Sequence, residues 1–294
     1  DTLKKKKNVD LVTIGRKKNF TQKKIFIFKQ PSFFLKVIYL IKSILTLKPF
    51  QFGIFFSNEM FKFIEGRALD YDLIFFYHIR SSQYLPRNFY GKTVIEMGDL
   101  YSSNYKQTFQ KLNILNPFKY IYLLESLLVK RLEKKIFTDF DKIILFSEDE
   151  IRKIDKSFTK KIIHMNLSIE KIKKKYFFSK KNKKILFVGN LRYLPNIFAV
   201  KKFVKNILPK LEKKIPEISF EIIGEIGSID KFLLSMNKKV KCLGPQKNLD
   251  KYIKGTFCAL ANIEIATGVQ TKVLSYMSYG LPVICSSVIA SNFK

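Results

Sequence analysis

Two stretches of this chain carry groups able to hold an anion. In the first, the apolar run Ile185-Leu-Phe-Val188 leads into Gly189 and Asn190, with Arg192 close behind. In the second, Gly268-Val-Gln270-Thr-Lys272 precedes a helical pattern that runs to Tyr279 and is followed by Gly280-Leu-Pro-Val283. Each places a glycine turn before a helix start. The first N–H groups of a helix have no partner inside it and the helix dipole is positive there, so a phosphate is stabilised at that end. Lys272 falls in the first turn, where the dipole disfavours a cation by a few tenths of a kcal/mol up to about 1 kcal/mol, and a bound phosphate reverses that sign. The planar fork of Arg192 suits a diphosphate. Together the two stretches read as a pocket for the diphosphate of a nucleotide, although neither is a Walker loop or a Gly-x-Gly-x-x-Gly fingerprint. Lys272 has a second reading, as a side chain snorkelling over apolar surface. Glu264, ahead of the glycine turn, either accepts from sugar or ribose hydroxyls or stands in solvent.

Such groups need a scaffold, and the hydrophobic pattern supplies one. In the first part, strands are expected at Val9–Ile14, Leu73–Tyr77, Thr93–Ile95 and Lys142–Phe146. Helices are expected at Phe33–Leu47, from about Ser57, and at Tyr120–Phe137, with Ser147-Glu-Asp-Glu150 as a capping box. A second alternating series follows: strand Ile185–Val188, helix Asn196–Leu211 kinked by Pro209, strand Phe220–Ile223, a short helix at Ile229–Leu234 and a strand near Val240. Strand Phe257–Ala261, helix Gln270–Tyr279 and strand Pro282–Cys285 complete it. Pro195-Asn196 reads as an ordinary helix start. Alternation of this kind implies parallel sheets covered on both faces. We therefore expect an α/β protein of two Rossmann-like doubly wound domains, over residues 1–170 and 184–294, with a Lys-rich linker at 171–183.

At 294 residues, with 47% hydrophobic content and 29 Phe, the chain can build two cores and is not a disordered polymer. The formal charge of +31 comes mostly from Lys spread along the whole length, with only seven Arg. That distribution argues against specific nucleic-acid binding, which concentrates basic groups on one face. It fits a solvated surface or attraction to an anionic membrane or substrate. Cys242, Cys258 and Cys285 are odd in number and lie in apolar runs, which fits reduced thiols in a cytoplasmic protein. The longest apolar run, Phe33 to Leu47, is broken by Lys36 and Lys42 and is too short to span a bilayer. Its spacing fits either a core-facing helix or one resting on an anionic membrane at its inner face. The chain lacks an initial Met and stops nine residues after Cys285, where a doubly wound domain normally continues, so it reads as a fragment.

The residues of the second half resemble a known family. Leu-Phe-Val-Gly-Asn-Leu-Arg-Tyr-Leu-Pro-Asn at 186–196, Phe-Glu-Ile-Ile-Gly at 220–224, Leu-Gly at 243–244, Gly-Val-Gln-Thr-Lys-Val-Leu from Gly268 and Gly280-Leu-Pro-Val283 are similar in order and spacing to the C-terminal domain of group-1 retaining glycosyltransferases of the GT-B fold. The first half is similar more loosely, through Tyr71-Asp-Leu-Ile before His78 and Arg80, Val94-Ile-Glu-Met-Gly-Asp99, and Phe146-Ser-Glu-Asp149.

The resemblance implies transfer of a sugar from a nucleotide-diphosphate donor, held mainly by the second domain, to a saccharide or lipid-linked acceptor, in cell-surface glycan synthesis. It places Gly189, Asn190, Arg192, Gly268, Gln270 and Lys272 around the donor, with Ser275 where relatives carry a ribose-binding Glu. A hydroxyl cannot offer the charged two-oxygen acceptor of a carboxylate. His78 and Asp99, each after an expected strand, are the candidates for acting on an acceptor hydroxyl, with Glu264 as a third catalytic candidate. The same scaffold accommodates a nucleotide-sugar epimerase, and Ser275 makes a non-catalytic nucleotide-sugar-binding protein an alternative. No metal or other cofactor is expected, the nucleotide-sugar being a substrate.

Overall fold

The computed structural model describes residues 9–15, 25–169, 176, 178–266 and 268–293. The chain divides into two compact units, Asp1–Met165 and Asn166–Lys294. Much of the expected linker, residues 171–175 and 177, lies outside the described residues, as does Thr267.

Unit 1 begins with β1 (Leu11–Ile14) and β2 (Ile25–Phe28), which pair in parallel as a separate two-stranded sheet. Three helices follow: α1 (Phe33–Leu45), α2 (Phe50–Ile54) and α3 (Asn58–Arg67). Ser57 caps α3 by accepting from the Met60 N–H, which fixes the start expected there. The main sheet has the order β3-β4-β5-β6, all parallel, from β3 (Leu73–Tyr77), β4 (Lys92–Gly98), β5 (Lys142–Leu145) and β6 (Ile162–His164). Between its strands run α4 (Tyr101–Lys111), α5 (Phe118–Asp139) and α6 (Glu148–Ile151). The core forms where Val129, Ile136 and Phe137 of α5 meet Ile95 and Met97 of β4 and Ile143 and Leu145 of β5. Burying an Ile or Phe in this way stabilises by roughly 1.5–3 kcal/mol each.

Unit 2 is a five-stranded parallel sheet of order β11-β10-β7-β8-β9. Its strands are β7 (Lys184–Val188), β8 (Ser219–Ile223), β9 (Val240–Cys242), β10 (Thr256–Ala261) and β11 (Val283–Cys285). The helices are α7 (Leu194–Asn206), α8 (Leu208–Lys214), α9 (Ser228–Ser235), α10 (Asp250–Ile253), α11 (Thr271–Ser278) and α12 (Ser287–Ala290). Successive side chains of a strand point to opposite faces, so Ile185 and Phe187 enter one core while Leu186 enters the other. The single kinked helix expected over Asn196–Leu211 is instead two helices. Pro209 has no N–H to continue the ladder, and it sits in the first turn of α8 after a break at Ile207.

The strand order decides where a ligand can bind. From β7 the chain adds β8 and β9 on one side, then crosses back to add β10 and β11 on the other. The reversal lies between β7 and β10. In open α/β sheets the crevice outside the carboxyl ends of the strands at such a reversal is the usual ligand site.

Candidate functional site

The loops that leave β7 and β10 carry the two sequence motifs, so both stretches arrive at the reversal point. Gly189 continues the sheet, its N–H donating to Ile223 O at 2.9 Å. The loop then folds on itself: the Arg192 N–H donates to Asn190 Oδ1 at 2.8 Å, and the Leu191 N–H donates to Glu225 O at 2.7 Å. Gly189 sits against a second glycine. A Cβ on Gly224, which has φ +142°, would lie 2.0 Å from Gly189 O, so the loop after β8 touches the loop after β7 only because position 224 is bare.

Lys272, in the first turn of α11, reaches into this loop. Its ammonium donates to Asn196 Oδ1 at 2.7 Å and lies 4.6 Å from the centre of the Phe187 ring. A Cβ on Gly189 would come within 3.0 Å of Lys272 Nζ. The group therefore does not snorkel to solvent; burial holds its pKa down to about 7. Asn196 completes the link, its amide Nδ2 donating to Asn190 O at 2.8 Å. The backbone of the β7 loop and the α11 cation are thus joined through Asn190 and Asn196. The reading of Asn196 as an ordinary helix-start residue missed this. The signal was present: Asn196 shares a buried stripe with Ala199, Val200 and Phe203 at helical spacing, and a polar residue on such a stripe needs a partner.

Tyr276 is the other residue the sequence reading passed over. It is almost fully buried, and its phenol oxygen accepts from the Val188 N–H at 2.7 Å, which docks α11 on the end of β7. Val273 and Tyr276 are the buried residues of α11, which turns Lys272 and Ser275 toward partly open positions. Gln270 is the residue before the first turn, and Gly268 takes φ +66° in the turn itself.

Arg192 and Glu264 are placed differently. The Arg192 guanidinium is 70% exposed and faces Glu225, with Nε 3.6 Å from Oε2. The Arg192 backbone N–H is turned to Asn190 and its charge to Glu225, so the structure does not bring the guanidinium to Lys272. Glu264 is ion-paired with Lys202 of α7. A separate cleft in unit 2, lined by Asn182, Gln246, Lys247, Asp250 and Tyr279, includes none of the expected site residues.

In unit 1, His78 and Asp99 follow the neighbouring strands β3 and β4. His78 adopts φ +70°, its N–H donates to Glu96 O at 2.8 Å, and its Nδ1 accepts from the Arg80 N–H at 3.3 Å. That bond leaves the proton of the neutral ring on Nε2. Burial, with Arg80 nearby, lowers its pKa to about 4. Asp99 is pushed up to about 7 by burial. Beside it, the Glu150 carboxylate accepts from the Leu100 N–H at 3.0 Å, while its Oε1 is buried without a partner. Burial and the Asp99 charge raise Glu150 to about 8.

Two Asp-x-Asp triplets, Asp70-Tyr71-Asp72 and Asp139-Phe140-Asp141, bear on metal binding. Asp70 pairs with Arg67, Asp139 with Lys135, and Asp141 accepts from the Thr93 N–H and hydroxyl. Among the described residues, no group of three or more His, Cys, Asp or Glu is arranged to hold a metal ion.

Residues 182–293 match the family model described as glycosyl transferases group 1. The matched residues all lie in unit 2. The match covers the β7 and α11 motifs and leaves unit 1 outside it. No curated protein matches the chain. Among solved structures, Anabaena HepE in complex with UDP-glucose is 11% identical, with a TM-score of 0.57, over 95% of this chain and 80% of HepE. S. aureus TarM is 12% identical, with a TM-score of 0.55, over 76% of this chain and 43% of TarM. The chain thus spans less than half the length of TarM. At such identities the likeness is one of fold, the two Rossmann-like units of the GT-B class.

Proposed function

We propose that this chain transfers a sugar from a nucleoside-diphosphate donor, with retention of anomeric configuration, to a saccharide or lipid-linked acceptor. The observation that carries the reading is the Lys272 ammonium, held at the sheet's reversal point by Asn196 and pressed against Gly189. A half-buried cation whose partners, the Asn196 amide oxygen and the Phe187 ring, are both neutral suits an incoming anion. The diphosphate would accept from Lys272 and lie at the amino end of α11, which favours negative charge. As the bond between sugar and diphosphate breaks, charge grows on the leaving oxygens, and these fixed groups stabilise it without reorganising. Arg192 would have to leave Glu225 to join them.

Crystals of HepE with UDP-glucose, and of a TarM variant with UDP and α-GlcNAc-glycerol, support a UDP-sugar as the first donor class to test. Asp99 and His78 are the proposed acceptor-side groups; Asp99, protonated into the neutral range, would hydrogen-bond an acceptor hydroxyl. Glu264 is a weaker candidate because Lys202 already engages it. Three free thiols support a reducing, cytoplasmic setting.

Thermal-shift titration with UDP-, GDP- and ADP-sugars tests the reading, since a ligand that prefers the folded state raises its stability. One donor class should raise the melting temperature of the wild type and leave Lys272→Ala unmoved. Transfer to an acceptor, with the product anomer read by NMR, then separates a transferase from an epimerase or a non-catalytic binder. If none of the three donor classes shifts the wild type, the proposal fails.

A further inference from the structure

The helix α1 is amphipathic, yet its apolar side is not in the core. Ser32 caps it, and Ser43 is its only buried residue. Phe33 is 84% exposed, Phe34 72% and Leu45 79%, with Val37, Ile38, Ile41 and Ile44 exposed between them. Exposed apolar surface on this scale marks an interaction site. The inward side of α1 packs closely on α2, where a Cβ on Gly53 would lie 2.4 Å from Tyr39 O, and sets Tyr39 edge-on to Phe56 at 5.2 Å.

A second apolar surface belongs to the same unit. Ile114 and Leu115, between α4 and α5, are exposed, as are Phe118, Ile121, Leu124 and Leu127 on the first half of α5. The Phe50 N–H, at the start of α2, donates to Glu125 of α5 at 2.9 Å. That bond ties the segment just after α1 to the part of α5 that bears the second surface.

Along the sequence the charge beside both surfaces has one sign, apart from Glu125, which is buried and accepts from the Phe50 N–H. From residue 11 to 58 there is no Asp or Glu, and from 100 to 124 there is none either. Lys36, Lys42 and Lys48 accompany the first stretch, and Lys106, Lys111 and Lys119 the second. A core helix left uncovered has no need of an acid-free surround. An interfacial helix does: phenylalanines and leucines enter the acyl boundary while lysines snorkel to anionic headgroups. A protein partner would be equally served by mixed charges at the rim.

We propose that α1 and the first half of α5 form a docking face for an anionic lipid bilayer, with Phe33, Phe34 and Ile41 as the inserted side chains and Lys36 and Lys42 as the headgroup contacts. The face is interfacial, since among the described residues no helix is long and apolar enough to cross a membrane. It stands apart from the donor reading, because binding to lipid requires no nucleotide.

The chain contains no Trp, so Phe34→Trp makes a single reporter. With the full chain carrying it, vesicles of three parts phosphatidylcholine to one part phosphatidylglycerol should shift Trp emission to the blue, and brominated acyl chains should quench it. Pure phosphatidylcholine should do neither. In sedimentation with sucrose-loaded vesicles, Lys36→Glu/Lys42→Glu should lower partitioning roughly tenfold or more. Phe33→Ser/Phe34→Ser/Ile41→Ser should lower it as far while keeping the wild-type circular dichroism melt. An unshifted reporter overturns the proposal. So does a serine variant that sediments like the wild type, because the remaining lysines then explain binding by charge alone. A blue shift on concentrating the protein without lipid, with dimers by analytical ultracentrifugation, overturns it in favour of a contact between copies. Loss of vesicle binding in a chain that still gains stability from a nucleotide-sugar defeats this inference and leaves the donor site standing.

Discussion

The phenol oxygen of Tyr276 accepts the Val188 N–H at 2.7 Å, tying the middle of α11 to the last residue of β7. Gly189 is the next residue, so the position of the β7 loop relative to Lys272 depends on this bond. In Tyr276→Phe the Val188 N–H loses that acceptor inside the protein, which costs about 1–3 kcal/mol. We expect a loss of that size in urea denaturation, together with a donor affinity at least several-fold weaker. A variant that loses stability but binds donor like the wild type would show that Tyr276 supports the sheet and not the loop.

Gly224 and Gly189 should respond unequally to a methyl group. At 224 the new carbon would meet a carbonyl oxygen at 2.0 Å with φ at +142°, so backbone must move; a loss above about 3 kcal/mol is expected, from strain and overpacking together. At 189 the nearest atoms are Lys272 Nζ at 3.0 Å and Asn196 Nδ2 at 3.1 Å, ends of side chains that can shift a few tenths of an ångström. Gly189→Ala should therefore keep most of its stability and lose donor binding by tenfold or more. Calorimetric melts alongside isothermal titration would separate the two; equal stability losses would contradict the geometry.

The Lys272 ammonium should make both stability and binding depend on pH. Its folded pKa, about 7, lies below the ordinary 10.5. Below pH 7 it is charged in both states, and the cost of burying it is fully present. As pH rises from there toward 10.5, the unfolded chain holds a proton the folded chain has released, so stability increases. Lys272→Met should lack that increase, seen as a melting-temperature difference from the wild type that changes steadily across pH 7–9.5. A bound diphosphate favours the charged form, so donor binding at pH 8.5 should take up a proton, measurable by titration in buffers of different ionisation enthalpy. No buffer dependence would remove Lys272 from the diphosphate.

Strand and helix positions were legible where apolar periodicity was strong. Leu73–Tyr77 matches the expected strand, Ser57 caps the helix expected from it, and Phe257–Ala261 falls within β10. Lys272 and Gly189 were legible as a pair because chemistry alone sets a glycine turn and a cation at a helix start. Asn196 and Tyr276 were not, since their value comes from partners 76 and 88 residues away, which no local pattern encodes. Arg192 was placed correctly in its loop, but the rotamer that turns its guanidinium to Glu225 depends on a loop from the next strand. β2 and α4 went unread: β2 is flanked by basic residues, and α4 has mostly polar residues without a clear apolar stripe.

In unit 1 the carboxyls of Asp99 and Glu150 share a buried corner, and burial keeps both protonated far above the usual range, to about 7 and about 8. Between the ordinary 4.5 of Glu150 and its folded value, the folded chain binds more protons than the unfolded one, so stability falls as pH rises through that window. Glu150→Gln removes the titrating group and keeps an oxygen to accept the Leu100 N–H. Its β4 and β5 amides should exchange hydrogen more slowly than those of the wild type at pH 8.5, with the difference shrinking toward pH 5. Identical protection at both pH values would mean that the Glu150 carboxyl ionises at an ordinary pH in the folded chain, and that Asp99 meets a charged neighbour throughout the neutral range.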